Sequence, residues 1–164
     1  NNYGKTKLIS EKMVSKFNPN ALIIRTNFFG KGTSYRRSFS DLILDNISVN
    51  KSVNLFEDVF FTPIYIDELI EIIENLLFKD LCGVYNVVGD ERLTKYEFGL
   101  KIAKEIGVNH RLVKKTLLSE RKDLVKRLFD LSLSNKKLKK SISIPIKSLS
   151  VQIKEMMVYN KQKI

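Results

Sequence analysis

An α/β fold follows from three observations on the sequence. Short apolar runs of strand length alternate with segments whose apolar residues recur every three to four positions. The run ALIIRT (21–26) is short and apolar, as expected of a strand covered on both faces of a parallel sheet, and VYNVVG (84–89) is a second, β-rich run. Each run also ends in a glycine-containing loop, NFFGKG (27–32) after the first and Gly89 after the second, which is half of a strand–helix–strand alternation. At 164 residues the chain can build one domain with a real core and not two full-sized ones.

The elements follow in order. Residues 3–17 carry Leu8, Met13, Val14 and Phe17 at helical spacing among lysines and Glu11, and Asn18-Pro19-Asn20 stops the pattern. The strand 21–26 comes next, and residues 34–46 read as a second helix. SVNLFEDVFFTPIYI (52–66) reads as one or two short strands, with Pro63 inside or at the edge of the second. Asp67 is the expected N-cap of ELIEIIENLLF (68–78), whose apolar residues cover most of one side. Gly83 precedes the strand 84–89. LTKYEFGLKIAKEIG (93–107) is a helix opened by a Thr94/Glu97 capping box and stopped by Gly107. Further on, RLVKKTL (111–117) suits a strand, SNKKLKK (134–140) a short helix and SLSVQIKEMMVYN (148–160) a terminal helix. There is no internal repeat and no low-complexity linker.

Composition narrows the function classes. The formal charge of +11 raises three kinds of partner: nucleic acid, an anionic membrane surface, or phosphorylated small ligands. Lysine, asparagine and isoleucine are all abundant, which fits a general bias that puts lysine on every solvated face. The basic run 134–140 has no interleaved aromatics for base stacking and matches no zinc-finger or RNA-binding pattern, so no nucleic-acid partner is expected. Cys82 is alone, which excludes an intrachain disulfide and a cysteine metal site. His110 is also alone and reads as a surface residue past a helix end. The acidic pairs Glu57/Asp58 and Asp67/Glu68 read as caps and solvated charges, so no metal is expected. No run of 18 apolar residues and no signal peptide is present; no membrane partner is expected, and the cytoplasm is the expected location.

The opening stretch NNYGKTKLISEKM carries the chemistry. On a helix, residues four apart share a face, so Tyr3 and Lys7 project side by side. A phenol has a reference pKa of about 10, and a nearby ammonium favours its phenolate. Such a pair can give a proton to a carbonyl oxygen as a hydride arrives, or take one from an alcohol as a hydride leaves. The same spacing recurs at Tyr159 and Lys163 near the lysine-rich C-terminus, where a surface helix or tail explains it. The first pair differs in context: it opens a helix that feeds a buried strand, and the loop after that strand lies where open α/β sheets bind ligands.

YGKTKLISEK, LIIRTNFFG, FTPIYIDEL and GVYNVVGDERLTKYEFGLKIAKEIG, in that order, resemble the second half of an extended short-chain dehydrogenase/reductase. The resemblance is to the dTDP-4-dehydrorhamnose reductase group of sugar-nucleotide enzymes; it covers about residues 3–107 well and the rest more weakly. It implies the C-terminal part of an NAD(P)-binding Rossmann-like fold plus its small mixed α/β substrate-binding domain. In that family the tyrosine donates the proton, the lysine holds the nicotinamide ribose, and hydride passes from NADPH to the 4-keto carbon of a nucleotide-linked deoxysugar. Tyr3 and Lys7 match those positions. The family's arginine–threonine–serine–tryptophan stretch matches Arg25, Thr26, Asn27 and Phe28, which implies cofactor contacts for Tyr3, Lys7, Thr26, Asn27 and Phe28 and a sugar contact for Phe28. Phenylalanine replaces tryptophan there, keeping the apolar surface and losing the indole donor. The family's later arginine–proline step, associated with the nucleotide, matches Arg127-Leu128, with the proline lost; Arg121 and Arg127 facing solvent is the alternative.

The resemblance also implies a division of the chain. Residues 1–33 and about 62–90 would be a remnant of the dinucleotide-binding domain, and about 34–61 and 91–164 the substrate-binding region, with 34–58 and 112–140 forming the pocket walls. The glycine-rich cofactor loop has no place here: the one G-x-G, Gly30 and Gly32, lacks the third glycine and reads as a loop. The expectation is therefore the C-terminal portion of an NADP(H)- or NAD(H)-dependent reductase acting on a nucleotide sugar, with the full-length protein a homodimer. A sugar-nucleotide epimerase or dehydratase of the same superfamily, or a non-catalytic regulatory protein on the same scaffold, are the alternatives.

Overall fold

The computed structural model describes residues 2–125 and 127–161; the Tyr159–Lys163 pair runs outside the described residues. Helix α1 (Asn2–Phe17) is followed by a turn in which the Asn18 N–H donates to the Val14 carbonyl (2.8 Å) and the Ala21 N–H to the Asn18 carbonyl (3.0 Å). The chain thus reverses into strand β1 (Leu22–Arg25). Strand β6 (Gly83–Asn86) lies parallel to β1, Leu22 opposite Gly83 and Arg25 opposite Asn86, and the Val87 N–H extends the ladder to the Arg25 carbonyl. Parallel neighbours need a crossover, and helix α3 (Ile66–Phe78) lies in it. Its buried Leu69, Ile72 and Leu76 pack with Ile64, Tyr85, Val87 and Leu138, the last from the short helix α5 (Lys136–Ser141).

A second apolar cluster forms around the parallel pair of β3 (Val53–Phe56) and β8 (Val113–Thr116). Helix α4 (Lys95–Glu105) crosses this pair, and a Cβ on its Gly99 would run into Leu55, so glycine is what lets the helix sit so close. Helices α2 (Phe39–Ser48) and α6 (Leu149–Lys161) close the cluster. Strands β2 (Phe28–Phe29) and β5 (Ile64–Tyr65) pair in parallel, β4 (Phe60–Phe61) and β7 (Leu93–Thr94) antiparallel. Fully buried Phe98 stands where these pieces meet, with the rings of Phe29, Phe61 and Phe39 centred 5.1, 5.4 and 6.0 Å away. Gln152 pins α6: its side-chain oxygen accepts from the Tyr65 N–H (2.7 Å) and its amide donates to the Lys147 carbonyl (2.6 Å).

Several local expectations are corrected. The helix expected over 34–46 starts at Phe39, because the Ser38 side chain and the Asp41 carboxylate form a reciprocal capping box that sets the first turn. The segment 52–66 makes three short strands, with Pro63 between the second and third. Asp67 lies inside α3, whose N-cap is Tyr65, with no side-chain cap bond. Glu68 is buried rather than solvated, accepting from the Lys147 N–H at 2.8 Å with the Lys147 ammonium 3.3 Å away. The Thr94/Glu97 box, the stop at Gly107 and the three elements expected after residue 110 are all present.

Candidate functional site

Helix α1 and strand β1 run in opposite directions, tied by the Arg25 guanidinium, which donates twice to the Glu11 carboxylate (2.9 and 2.5 Å). That hydrogen bonding holds the Glu11 carboxyl below the usual carboxylate range. From Glu11 back to Tyr3 the helix rises about 12 Å, so Tyr3 and Lys7 sit beyond the carboxyl end of β1. The structure brings these two together: the Lys7 ammonium is 5.7 Å from the centre of the Tyr3 ring, which is 73% exposed. Among the described residues no hydrogen bond, ion pair or ring contact links them to Thr26, Asn27, Phe28 or Arg127.

At the same end of the sheet, β2 turns one phenylalanine each way. Phe29 is buried against Phe98 and Tyr65, while Phe28 is 61% exposed and lines a cavity of about 570 Å³. The other wall is the loop 30–38, which carries Lys31, Arg36 and Arg37 into the lining. The buried Ser40 hydroxyl closes this loop by donating to the Gly30 carbonyl (2.9 Å) and accepting from the Gly30 N–H (3.1 Å). The Asp41 carboxylate accepts from the Gly32 and Ser38 N–H groups (2.7 and 2.9 Å). The sequence reading placed Lys31 in the loop after β1 but missed Arg36 and Arg37 as loop residues because it put 34–46 on one helix. The S-F-S-D pattern at 38–41 is the signal that ends the loop at Ser38 and leaves three cations in it.

Of the remaining predicted residues, Asn27 is engaged while Thr26 and Arg127 are not. The Asn27 amide donates to the Leu131 carbonyl (2.9 Å) and lies 3.5 Å from the Thr62 hydroxyl, which accepts from the Leu133 N–H (3.1 Å). Asn86 donates to the Ser134 carbonyl, and Asn135 to the Val88 carbonyl and Asp90. Together with mutual backbone bonds between Phe60 and the pair Phe129 and Leu131, these side chains strap residues 129–135 across the carboxyl ends of β1 and β6. Arg92 reinforces the strap, stacked 3.9 Å over the Phe60 ring and paired with Asp130 (2.8 Å); hydrogen bonds from Ser132 and Arg92 hold the Asp130 carboxyl down to about 2. The Thr26 hydroxyl oxygen is buried and has no hydrogen-bond partner among the described residues, at the end of β1. Arg127 leads into the strap and lines a separate groove of about 240 Å³ with Leu118, Leu124, Val125, Phe129 and Arg121. Arg121 is paired with Asp123 (2.7 Å), whose carboxyl it holds down to about 2; Arg127 has no acidic partner among the described residues.

The acidic pairs are used structurally. Asp58 accepts from the Leu118 N–H (2.9 and 3.0 Å), and Glu57 pairs with Lys115 (2.7 Å). Among the described residues no group of three or more histidine, cysteine or acidic side chains is placed to hold a metal, and no helix is long and apolar enough to cross a membrane.

A parallel pair crossed through α3, with an open cavity at its carboxyl end, defines an α/β protein with a Rossmann-like crossover. The chain belongs to the RmlD substrate binding domain family, whose model matches residues 1–161. It is similar to the probable low-salt glycan biosynthesis reductase Agl14 of Haloferax volcanii, 29% identical over 121 residues, or 72% of this chain and 40% of that protein. Among solved structures it resembles the dTDP-4-dehydrorhamnose reductase of Bacillus anthracis in complex with NADP, with a TM-score of 0.85 and 20% identity over 97% of this chain and 56% of that one. It also resembles a hypothetical dTDP-4-dehydrorhamnose reductase from Sulfolobus tokodaii, with a TM-score of 0.75 and 27% identity over 91% of this chain and 51% of that one. The chain therefore spans 40% of the curated relative and about half of the crystallised ones.

Proposed function

We propose that this chain is the proton-donating and substrate-binding part of an NAD(P)H-dependent reductase that acts on the keto group of a nucleotide-linked deoxysugar. The observation that carries the reading is the Lys7 ammonium beside the Tyr3 ring on an exposed helix end, in a chain matched over residues 1–161 by the family. The residues present suit a nicotinamide cofactor: the Thr26 hydroxyl is unpartnered, and the Tyr3–Lys7 face is open. When bound, the reduced nicotinamide supplies the hydride that converts the carbonyl carbon to a secondary alcohol. Tyr3 gives its phenolic proton to the carbonyl oxygen, Lys7 stabilises the phenolate left behind, and solvent restores the proton.

Phe28 offers the sugar an apolar face, and Arg127, without an acidic partner among the described residues, faces the nucleotide. The Asn27 backbone passes the cofactor while its amide holds the strap. The division proposed is 1–33 with 62–90 on the cofactor side and 34–61 with 91–164 on the substrate side; α5 reaches back from the latter to pack Leu138 on the former. The test is oxidation of NADPH or NADH by the intact protein with a dTDP-4-keto-6-deoxysugar. Tyr3→Phe should lower kcat by roughly 10²–10⁴-fold with a smaller change in KM. An intact protein that oxidises neither nicotinamide in the presence of sugar nucleotides refutes the reading.

A further inference from the structure

We propose that Asn27 is a positioning residue of the reductase site: its side-chain amide sets the strap 129–135, and through it Arg127 and Phe129, against the carboxyl end of β1. The role in the reaction rests on the reductase reading; the grip on the strap rests on the hydrogen bonds.

Among the described residues the strap makes one isolated bridge, Asp130 beside Phe60, and no longer ladder. Side chains meet its main-chain groups instead, as a neighbouring strand otherwise would. Leu131 is held from two sides: its N–H donates to the Phe60 carbonyl (2.9 Å), and its carbonyl accepts from the Asn27 amide (2.9 Å). Further along, the Leu133 N–H donates to the Thr62 hydroxyl (3.1 Å), and the Ser134 carbonyl accepts from the Asn86 amide (2.9 Å).

Asn27 is fitted to fix the strap because its own main chain is fixed. Its carbonyl accepts from the Ile64 N–H (3.3 Å), and the next residue, Phe28, lies opposite Ile64 in the β2–β5 pair. The amide thus extends from an anchored base to a residue 104 positions away. Asn27 stands where the resembled family stretch carries serine, and its amide nitrogen lies one bond further from the main chain than a serine hydroxyl would.

Arg127 and Phe129 line one groove, four and two residues before the gripped Leu131. At most about 14 Å of extended chain separates Arg127 from the grip. An anchored strap keeps the guanidinium and the ring near one arrangement, whereas a loose strap loses that freedom only when substrate binds, which weakens binding. The main chain of residue 27 is held by β5 and does not depend on the amide, so losing the amide should spare the nicotinamide side.

The test is steady-state kinetics of the intact protein with NADPH or NADH and a dTDP-4-keto-6-deoxysugar, paired with amide hydrogen exchange. The variants are Asn27→Ala, Thr62→Val, the two combined and, as a control for general destabilisation, Ile102→Val in the fully buried part of α4; thermal melting confirms that each is folded. Asn27→Ala should speed exchange over 129–135 by roughly tenfold or more and leave α4 unchanged. It should raise KM for the sugar nucleotide by about fivefold or more, with kcat and the nicotinamide KM within about twofold. Thr62→Val, which frees the Leu133 N–H, should give the same pattern, and the combined effect on KM should be less than the product because both changes release one strap. Ile102→Val should move neither KM. Unchanged exchange over 129–135 in Asn27→Ala, faster exchange with an unchanged sugar-nucleotide KM, an equal rise in the nicotinamide KM, or effects that multiply in full overturn the positioning role. In a working reductase these results leave the reductase reading standing. An intact protein that oxidises neither nicotinamide refutes that reading and the positioning role with it, even where exchange shows that Asn27 grips the strap.

Discussion

Lys95 is the residue whose setting departs furthest from its chemistry. It is the first residue of α4, yet its ammonium lies 3.3 Å from the centre of the Phe61 ring and 4.5 Å from that of Phe39. Burial lowers its pKa from 10.5 to about 8. The folded state therefore disfavours the charged form: below pH 8 both states are protonated and the penalty is complete. Between pH 8 and 10.5 the folded protein gives up this proton while the unfolded chain keeps it, so the penalty fades and stability rises with pH. The aromatic faces return part of the cost. Lys95→Met should raise stability at pH 7 by about 1–3 kcal/mol and flatten the rise in Tm between pH 8 and 10; equal slopes for both proteins would show that Lys95 does not titrate there. Asn27 is the second telling residue. Asn27→Ala leaves the Leu131 carbonyl without its donor and should cost about 1–2 kcal/mol, with faster proteolysis within 127–133 as the readout that a general loss of stability would not localise.

At the scale of elements, three helices end in the same way. Asn50, Asp80 and Gly107 follow the C-caps of α2, α3 and α4 with positive φ (59°, 50° and 70°), and in each case the next N–H returns to a carbonyl five residues back. Those bonds run from Lys51 to Asn46, Leu81 to Leu76 and Val108 to Ala103. Only the glycine stop is legible in the sequence by composition; asparagine and aspartate occupy the same left-handed conformation and read as ordinary loop residues. Asn50→Gly and Asp80→Gly should each stabilise slightly, by roughly 0.5 kcal/mol, measured by urea denaturation, and a loss at both positions would contradict this account of the helix ends. Ser38 starts α2 and also orders the cationic loop through the Asp41 carboxylate. Ser38→Ala should cost about 1 kcal/mol, measured by urea denaturation.

On the scale of the whole molecule, two apolar clusters meet near β2 and β5, while α1 contributes no buried residue to either. Leu8, Ile9, Met13, Val14 and Phe17 are all exposed on it, and the Arg25–Glu11 pair is its side-chain ion-pair link to β1. Replacing Leu8 and Met13 by glutamine should therefore change the unfolding free energy of this chain by no more than about 0.5 kcal/mol. Phe98→Ala, at the aromatic junction, should cost about 3–5 kcal/mol; a large effect at α1 in chemical denaturation would mean that the helix packs on the body in solution.

The sequence by itself determined what depends on neighbours within a few residues: the helical period of α1, the capping box of α4, the apolar strand β1 and the i, i+4 placement of Tyr3 and Lys7. It also carried the ordered motifs on which the family resemblance rests. Tertiary structure decided what depends on distant partners. The pairing of β1 with β6 brings Arg25 opposite Asn86, and only then can Asn27, Asn86 and Asn135 gather around one strap. Burial of Lys95 between Phe39 and Phe61 likewise needs segments far apart in the chain. Helix periods and caps are local energies that a sequence displays directly. Burial, strand pairing and the free or engaged state of a polar side chain are set by what packs against it, and no local pattern encodes that.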